Sequence, residues 1–130
     1  MTSADYIQLI QTTLKSCLVE HLGDIDNVNK YFSVNYEQTT DGKVSDYKAF
    51  TDHLIALKEH IEKIELTIVA IAQNGNTVFT HHNVIAHKRN GTVATYQVLA
   101  HFTVDGNEGK ILRCNELIRQ TDGEGNLQHV

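Results

Sequence analysis

The stretch Thr77-Val78-Phe79-Thr80-His81-His82-Asn83-Val84-Ile85-Ala86-His87-Lys88-Arg89-Asn90-Gly91-Thr92 decides the fold. β-Favouring residues fill it as far as Asn90-Gly91, and a second β-rich run, Thr92 to Val104, follows. Asn-Gly between two such runs marks a hairpin, because a type I′ turn needs two residues that tolerate positive φ. The second run meets Asp105-Gly106-Asn107-Glu108-Gly109, and Ile111 to Arg119 adds a further strand. Strands of about 10 residues exceed the usual length of about 5–6, which predicts a sheet bent around a pocket.

A two-residue turn at Asn90-Gly91 fixes the register. It pairs Arg89 with Thr92, and hence Ile85 with Tyr96, Asn83 with Val98, His81 with Ala100 and Phe79 with Phe102. One face then carries Phe79, His81, Asn83, Ile85, His87, Tyr96, Val98, Ala100 and Phe102. The other carries Val78, Thr80, His82, Val84, Ala86, Gln97, Leu99, His101 and Thr103. Both faces hold apolar residues, so both need cover. Helices can cover the concave side; a second copy of the chain is the expected cover for the convex one, as a homodimer.

Before this sheet the pattern is helical. Ser3 can cap a first helix running to about Leu22, with Ile7, Ile10, Leu14, Leu18 and Leu22 as its apolar stripe. Gly23 ends it, and Asp24 caps a shorter helix with Ile25, Val28 and Phe32 inward. Ser33 to Gly42 is irregular or a short strand in which Val34, Tyr36 and Gln38 alternate. A third helix, capped by Ser45 or Asp46, turns Tyr47, Phe50, Leu54, Leu57 and Ile61 inward. Ile64 to Gln73 is the first long strand, ended by Asn74-Gly75-Asn76. The tail Asp122-Gly123-Glu124-Gly125-Asn126 is polar and expected to fray. Helices followed by an antiparallel meander predict one α+β domain spanning 1–130, a curved sheet wrapped around three N-terminal helices.

Composition sets limits. At 130 residues the chain can bury a core. A net charge of −5, with no Lys/Arg stripe, has the wrong sign for nucleic acid. No apolar run approaches the roughly 20 residues of a membrane span, and no export signal is read at the N-terminus. Cys17 and Cys114 form no disulfide framework, which suits a reducing cytoplasm. Eight histidines invite a metal reading. However, His81 and His82 point to opposite faces of one strand, and His81 and His87 lie ~20 Å apart along it. His53 and His60 are ~10 Å apart along one helix. No metal site and no cofactor are expected.

Candidate chemistry centres on the last strand. Leu112, Cys114, Glu116 and Ile118 share one face, with Arg113, Asn115 and Leu117 on the other. A carboxylate among apolar neighbours is costly unless paired or protonated, so the pKa of Glu116 should rise. Such groups are candidates for acid–base work.

Gly23-Asp24-Ile25-Asp26, Tyr31 to Gln38, Asp41-Gly42-Lys43, Asp105-Gly106, Gly109-Lys110-Ile111 and Asn115-Glu116-Leu117 together resemble the nuclear transport factor 2-like superfamily. The resemblance is nearest its SnoaL-like polyketide cyclase branch and covers about 5 to 120. It implies a cone-shaped α+β barrel, usually dimeric, with an apolar cavity between helices and sheet. The superfamily holds isomerases, cyclases, dehydratases, hydrolases and plain binding proteins, so fold alone does not choose among them. At positions where the steroid isomerase branch has a Tyr and two acids, this chain has Ser16, Thr39 and Ala100, which argues against that chemistry. The SnoaL-like Tyr-x-Gln-His pattern keeps Tyr36 and Gln38 but has Thr39 for His. Glu116 aligns with the branch's last-strand Asp.

The expected function is binding of a small apolar molecule in an enclosed pocket. Tyr36, Gln38, Thr39, Phe50, Leu54, Phe79, Asn83, Tyr96, Val98, Phe102 and Cys114 are its expected lining. The alternative is a cyclase- or isomerase-type enzyme in which Glu116 is the general acid/base and His81 its polar partner.

Overall fold

A computed structural model describes residues 5–123. The expected Ser3 cap and most of the polar tail lie outside them. The first helix, α1 (Ile7–Leu14), does not run on as α-helix to Leu22; it continues as a π-helical turn over Lys15–Glu20. Ile10 and Leu14 point into the core. Gly23, at a φ of +80°, reverses the chain, and the Asp24 carboxylate accepts from the Asn27 amide at 3.2 Å to start α2 (Ile25–Val28).

The segment expected to be irregular or a short strand is a nine-residue strand, β1 (Phe32–Thr40), and a strand the pattern did not reveal, β2 (Lys43–Asp46), pairs with it. Their connection is Asp41-Gly42, with φ of 49° and +84°, a two-residue turn built on two positive-φ residues. The Asp46 carboxylate accepts from Ala49 N at 2.8 Å and opens α3 (Tyr47–His60), which buries Phe50, Leu54 and Leu57. Three long strands follow β3 (Ile61–Asn74): β4 (Thr77–Lys88), β5 (Val93–Asp105) and β6 (Lys110–Asp122).

The six strands form one curved, unclosed sheet in the order β2-β1-β6-β5-β4-β3. Every neighbouring pair is antiparallel except β1 with β6, which run parallel. The parallel pair brings the first and the last strand together inside the sheet. It also sets Gln38 beside Cys114 and Thr40 beside Glu116. The helices lie on the concave side, giving the expected cone-shaped α+β fold.

The β4–β5 register differs from the expected one by a single residue. Lys88 N donates to Thr92 O at 2.9 Å and Gly91 N to Lys88 O at 3.0 Å, so the connection is the three residues Arg89-Asn90-Gly91. Gly91 takes a φ of +88°, whereas Asn90 is not among the positive-φ residues. The side chain of Asn90 instead accepts from Thr92 N and Thr92 Oγ1, at 3.0 and 2.6 Å. Tyr96 therefore pairs with Val84, Val98 with His82, Ala100 with Thr80 and Phe102 with Val78. Because side chains alternate, the slip turns every odd-numbered residue of β4 outward. Val78, Thr80, His82, Val84 and Ala86 are buried on the concave face.

Candidate functional site: a carboxyl in the cone

Between the helices and the concave face lies a cavity of about 40 Å³. Its walls come from α1 (Thr13, Leu14), the π-helical turn (Cys17, Leu18), β1 (Phe32, Tyr36, Gln38) and α3 (Phe50, Leu54). His82, Phe102, Cys114 and Glu116 complete it from the sheet. Phe32, Tyr36 and Phe50 pack as a trio of rings with centroids 4.7–5.0 Å apart, a stiff apolar wall.

Glu116 is only 6% exposed. The Thr40 hydroxyl donates to its Oε1 at 2.9 Å, and Gln38 Nε2 donates to the same oxygen at 3.3 Å. Tyr36 holds Gln38 in turn, donating its phenol to Gln38 Oε1 at 2.8 Å. Burial pushes the Glu116 carboxyl up from 4.5 to about 7; the Thr40 bond opposes the rise and the charge of Asp41 adds to it. Since both donors end on Oε1, a proton taken up by this carboxyl resides on Oε2. Burial likewise holds the Tyr36 phenol and the Cys114 thiol well above their ordinary ranges, with the Glu116 charge among the further causes. At neutral pH both stay protonated and serve as packing and hydrogen-bonding groups.

The expected lining divides three ways. Glu116, Tyr36, Gln38, Phe50, Leu54, Phe102 and Cys114 meet around the cavity. Tyr96 and Val98 are buried on the same concave face but outside the cavity wall. Thr39 is half-buried between the inward Gln38 and Thr40, so its neighbour Thr40 makes the bond to Glu116.

Phe79, His81 and Asn83 are corrections. The one-residue slip puts them on the convex face, where Asn83 is exposed, Phe79 packs edge-on against His101, and His81 Nε2 hydrogen-bonds Gln97 at 3.0 Å. His81 is therefore not the interior partner of Glu116.

The neighbouring histidine takes the inner position. His82 is 1% exposed, its Nδ1 lies 3.0 Å from Thr80 Oγ1, and its ring lines the cavity. Burial, and then the charge of His81, lower its pKa to about 4, so the imidazole is neutral. Ala100, a small residue on the strand between, pairs with Glu116 on one side and Thr80 on the other. His82 and Thr40 were the polar residues missed; for His82 the length of the β4–β5 turn was the signal.

The SnoaL-like domain family matches residues 19–114, most of the chain. The chain belongs to the SnoaL-like family. Within the nuclear transport factor 2-like superfamily, this SnoaL-like protein is 24% identical over 100 residues to an uncharacterized protein of Schizosaccharomyces pombe, covering 77% of this chain and 75% of the relative. It superposes on an M. tuberculosis LEH-like epoxide hydrolase with a TM-score of 0.73 at 16% identity, over 90% of this chain and 84% of that one. On IdmH of Streptomyces antibioticus, a candidate polyketide cyclase, the TM-score is 0.70 at 14% identity, over 85% and 89% of the two chains. At such identities the likeness is one of fold. Among the described residues no helix is long and apolar enough to cross a membrane.

Proposed function

We propose that the cavity at Glu116 binds a small, mainly apolar molecule carrying one carbonyl or hydroxyl oxygen. The observation that carries this reading is a buried carboxyl, held through one oxygen, among walls of Leu14, Phe32, Phe50, Leu54 and Phe102. Ligand sites are mostly apolar with a few placed polar groups, and this arrangement has that character. A protonated Glu116 can donate to a ligand oxygen while the walls exclude water. A space of about 40 Å³ holds little more than water, so a ligand has to part the side chains that fill the cone.

Calorimetric titration with small ketones and phenols between pH 6 and pH 8.5 tests the reading. Affinity should fall as pH rises through about 7, and the fall should vanish in Glu116→Gln. Binding that ignores both pH and the substitution would count against it.

A second reading is catalytic, and the titration of Glu116 near 7 favours it. General acid–base catalysis works best when the group's pKa is near the working pH. Glu116 would move the proton, and neutral His82 would hydrogen-bond the oxygen on which charge develops. Removing the carboxyl in Glu116→Gln would then lower kcat about 100-fold or more, whereas a binding protein shows no turnover in either form.

In the same account two copies pair through their convex faces. Phe79, Leu99 and Leu117 are 45–61% exposed there and line an open groove of about 580 Å³. An apolar face of this kind calls for a partner surface. A reducing cytoplasm suits the free thiols of Cys17 and Cys114.

A further inference from the structure

The interior cavity and a second cleft of about 260 Å³ share one wall residue, Leu18. Leu18 is half-buried, whereas every other residue lining the interior cavity is buried. The outer cleft is charged with both signs, from Lys58, Lys63 and Arg89 on one hand and Glu20, Asp24 and Glu62 on the other. Arg89 is fixed there by donating through Nε and Nη2 to the Lys58 carbonyl, at 3.3 and 3.0 Å.

Leu18 also lies in the middle of the π-helical turn, Lys15–Glu20. The turn closes with His21 N donating to Ser16 O at 2.8 Å, a bond spanning five residues. Such turns are rare and are frequently found at functional sites. Its start is anchored by the buried Ser16–Asn27 hydrogen bonds. Its end runs into a non-helical His21 and the positive-φ Gly23, which can take up a change of winding. A π-to-α change over this segment would turn Leu18 about the helix axis, with the Ser16–Asn27 hydrogen bonds holding the start and His21 to Gly23 absorbing the altered winding.

We propose that Leu18 is the door of the interior site. Molecules reach Glu116 from the charged cleft when the π-helical turn rewinds and carries Leu18 aside. The ligands so admitted are amphiphiles whose mainly apolar part, with the oxygen that meets Glu116, goes inward, and which carry besides it a charged or hydroxylated end left in the cleft. The inference rests on the cavity being a ligand site, but its test does not involve the Glu116 proton, so either can fail without the other.

Cys114 lines the interior cavity and reports access to it. In a Cys17→Ser background its reaction with 4,4′-dithiodipyridine, a neutral aromatic disulfide, is followed by release of thiopyridone at pH 9, where the small thiolate fraction carries the exchange and rates are compared between variants at that one pH. Leu18→Ala should speed labelling tenfold or more, Leu18→Trp should slow it by a similar factor, and Leu18→Met should fall between wild type and Leu18→Ala. Lys15→Ala, exposed at the start of the same turn and outside both the cleft and the cavity, should leave the rate within twofold. Equal rates in the Leu18 series, an equal effect at Lys15, or labelling that follows global unfolding in urea for every variant would overturn the door. Two alkyl methanethiosulfonates of equal length, one ending in a sulfonate, test the ligand class on Leu18→Ala. Rates within threefold support an amphiphile, and exclusion of the charged reagent by tenfold or more overturns it.

Discussion

At Glu116 burial and hydrogen bonding oppose each other, and burial wins: the carboxyl is pushed up to about 7 although Thr40 and Gln38 both donate to it. Its pKa is raised on folding, so between about 4.5 and 7 the native state binds more protons than the unfolded chain. Stability from this group is therefore lost as pH rises through that window. The shift corresponds to about 3 kcal/mol at pH 8, at ~1.4 kcal/mol per pH unit. His82 works in the opposite direction, since its native pKa is lowered from 6.5 to about 4. The unfolded chain takes up a proton the native imidazole refuses, and stability is lost as pH falls through that range. Urea unfolding of wild type and Glu116→Gln from pH 4 to pH 8.5 separates the two. The stability of the wild type relative to the variant should drop by about 3 kcal/mol, and the variant alone should gain stability as pH rises toward 6.5. Glu116 was legible in the sequence because β6 alternates and its inward neighbours are apolar. His82 was not, since only register tells two adjacent histidines apart.

Among the elements, the β4–β5 connection decides which side chains face the cone. Asn90-Gly91 reads as a two-residue turn, yet Asn90 keeps a negative-φ backbone and caps Thr92 with its side chain, so Arg89 joins the loop. The two-residue form occurs instead at Asp41-Gly42, where β2 was hidden because only four residues, Lys43–Asp46, pair there. Gly91 stands at a φ of +88° with nothing near its missing Cβ. Gly91→Ala should therefore cost only the backbone strain, roughly 1 kcal/mol, read as a lower urea midpoint with an unchanged slope. Gly23→Ala should cost more, because its added Cβ would come within 2.9 Å of the Lys58 side chain as well as forcing a positive φ. The π-helical turn could not be read from the chain either. Leu14, Leu18 and Leu22 keep a spacing that α- and π-winding share over so short a run. The end of the helix at Gly23 was legible, because a positive-φ stop favours glycine.

For the whole molecule, alternation and turn residues were enough to foresee α+β architecture, long bent strands and a helical layer. The parallel β1–β6 pair was beyond them, because pairing between distant segments leaves no local pattern, and that pair assembles Gln38, Thr40 and Glu116. The convex face carries the assembly proposal. Leu99 and Leu117 pair across β5 and β6 and are 50% and 61% exposed. If two copies meet there, Leu117→Asp should halve the mass seen by light scattering at micromolar concentration without lowering the melting temperature of the monomer. An unchanged mass would remove the proposed interface. The central claim, that a buried carboxyl inside the cone holds a proton near neutrality, is tested most directly by carbon-13 NMR of side-chain carboxyls, with Glu116→Gln identifying the resonance. A Glu116 midpoint close to 7 is expected; a midpoint near the ordinary 4.5 would contradict the account.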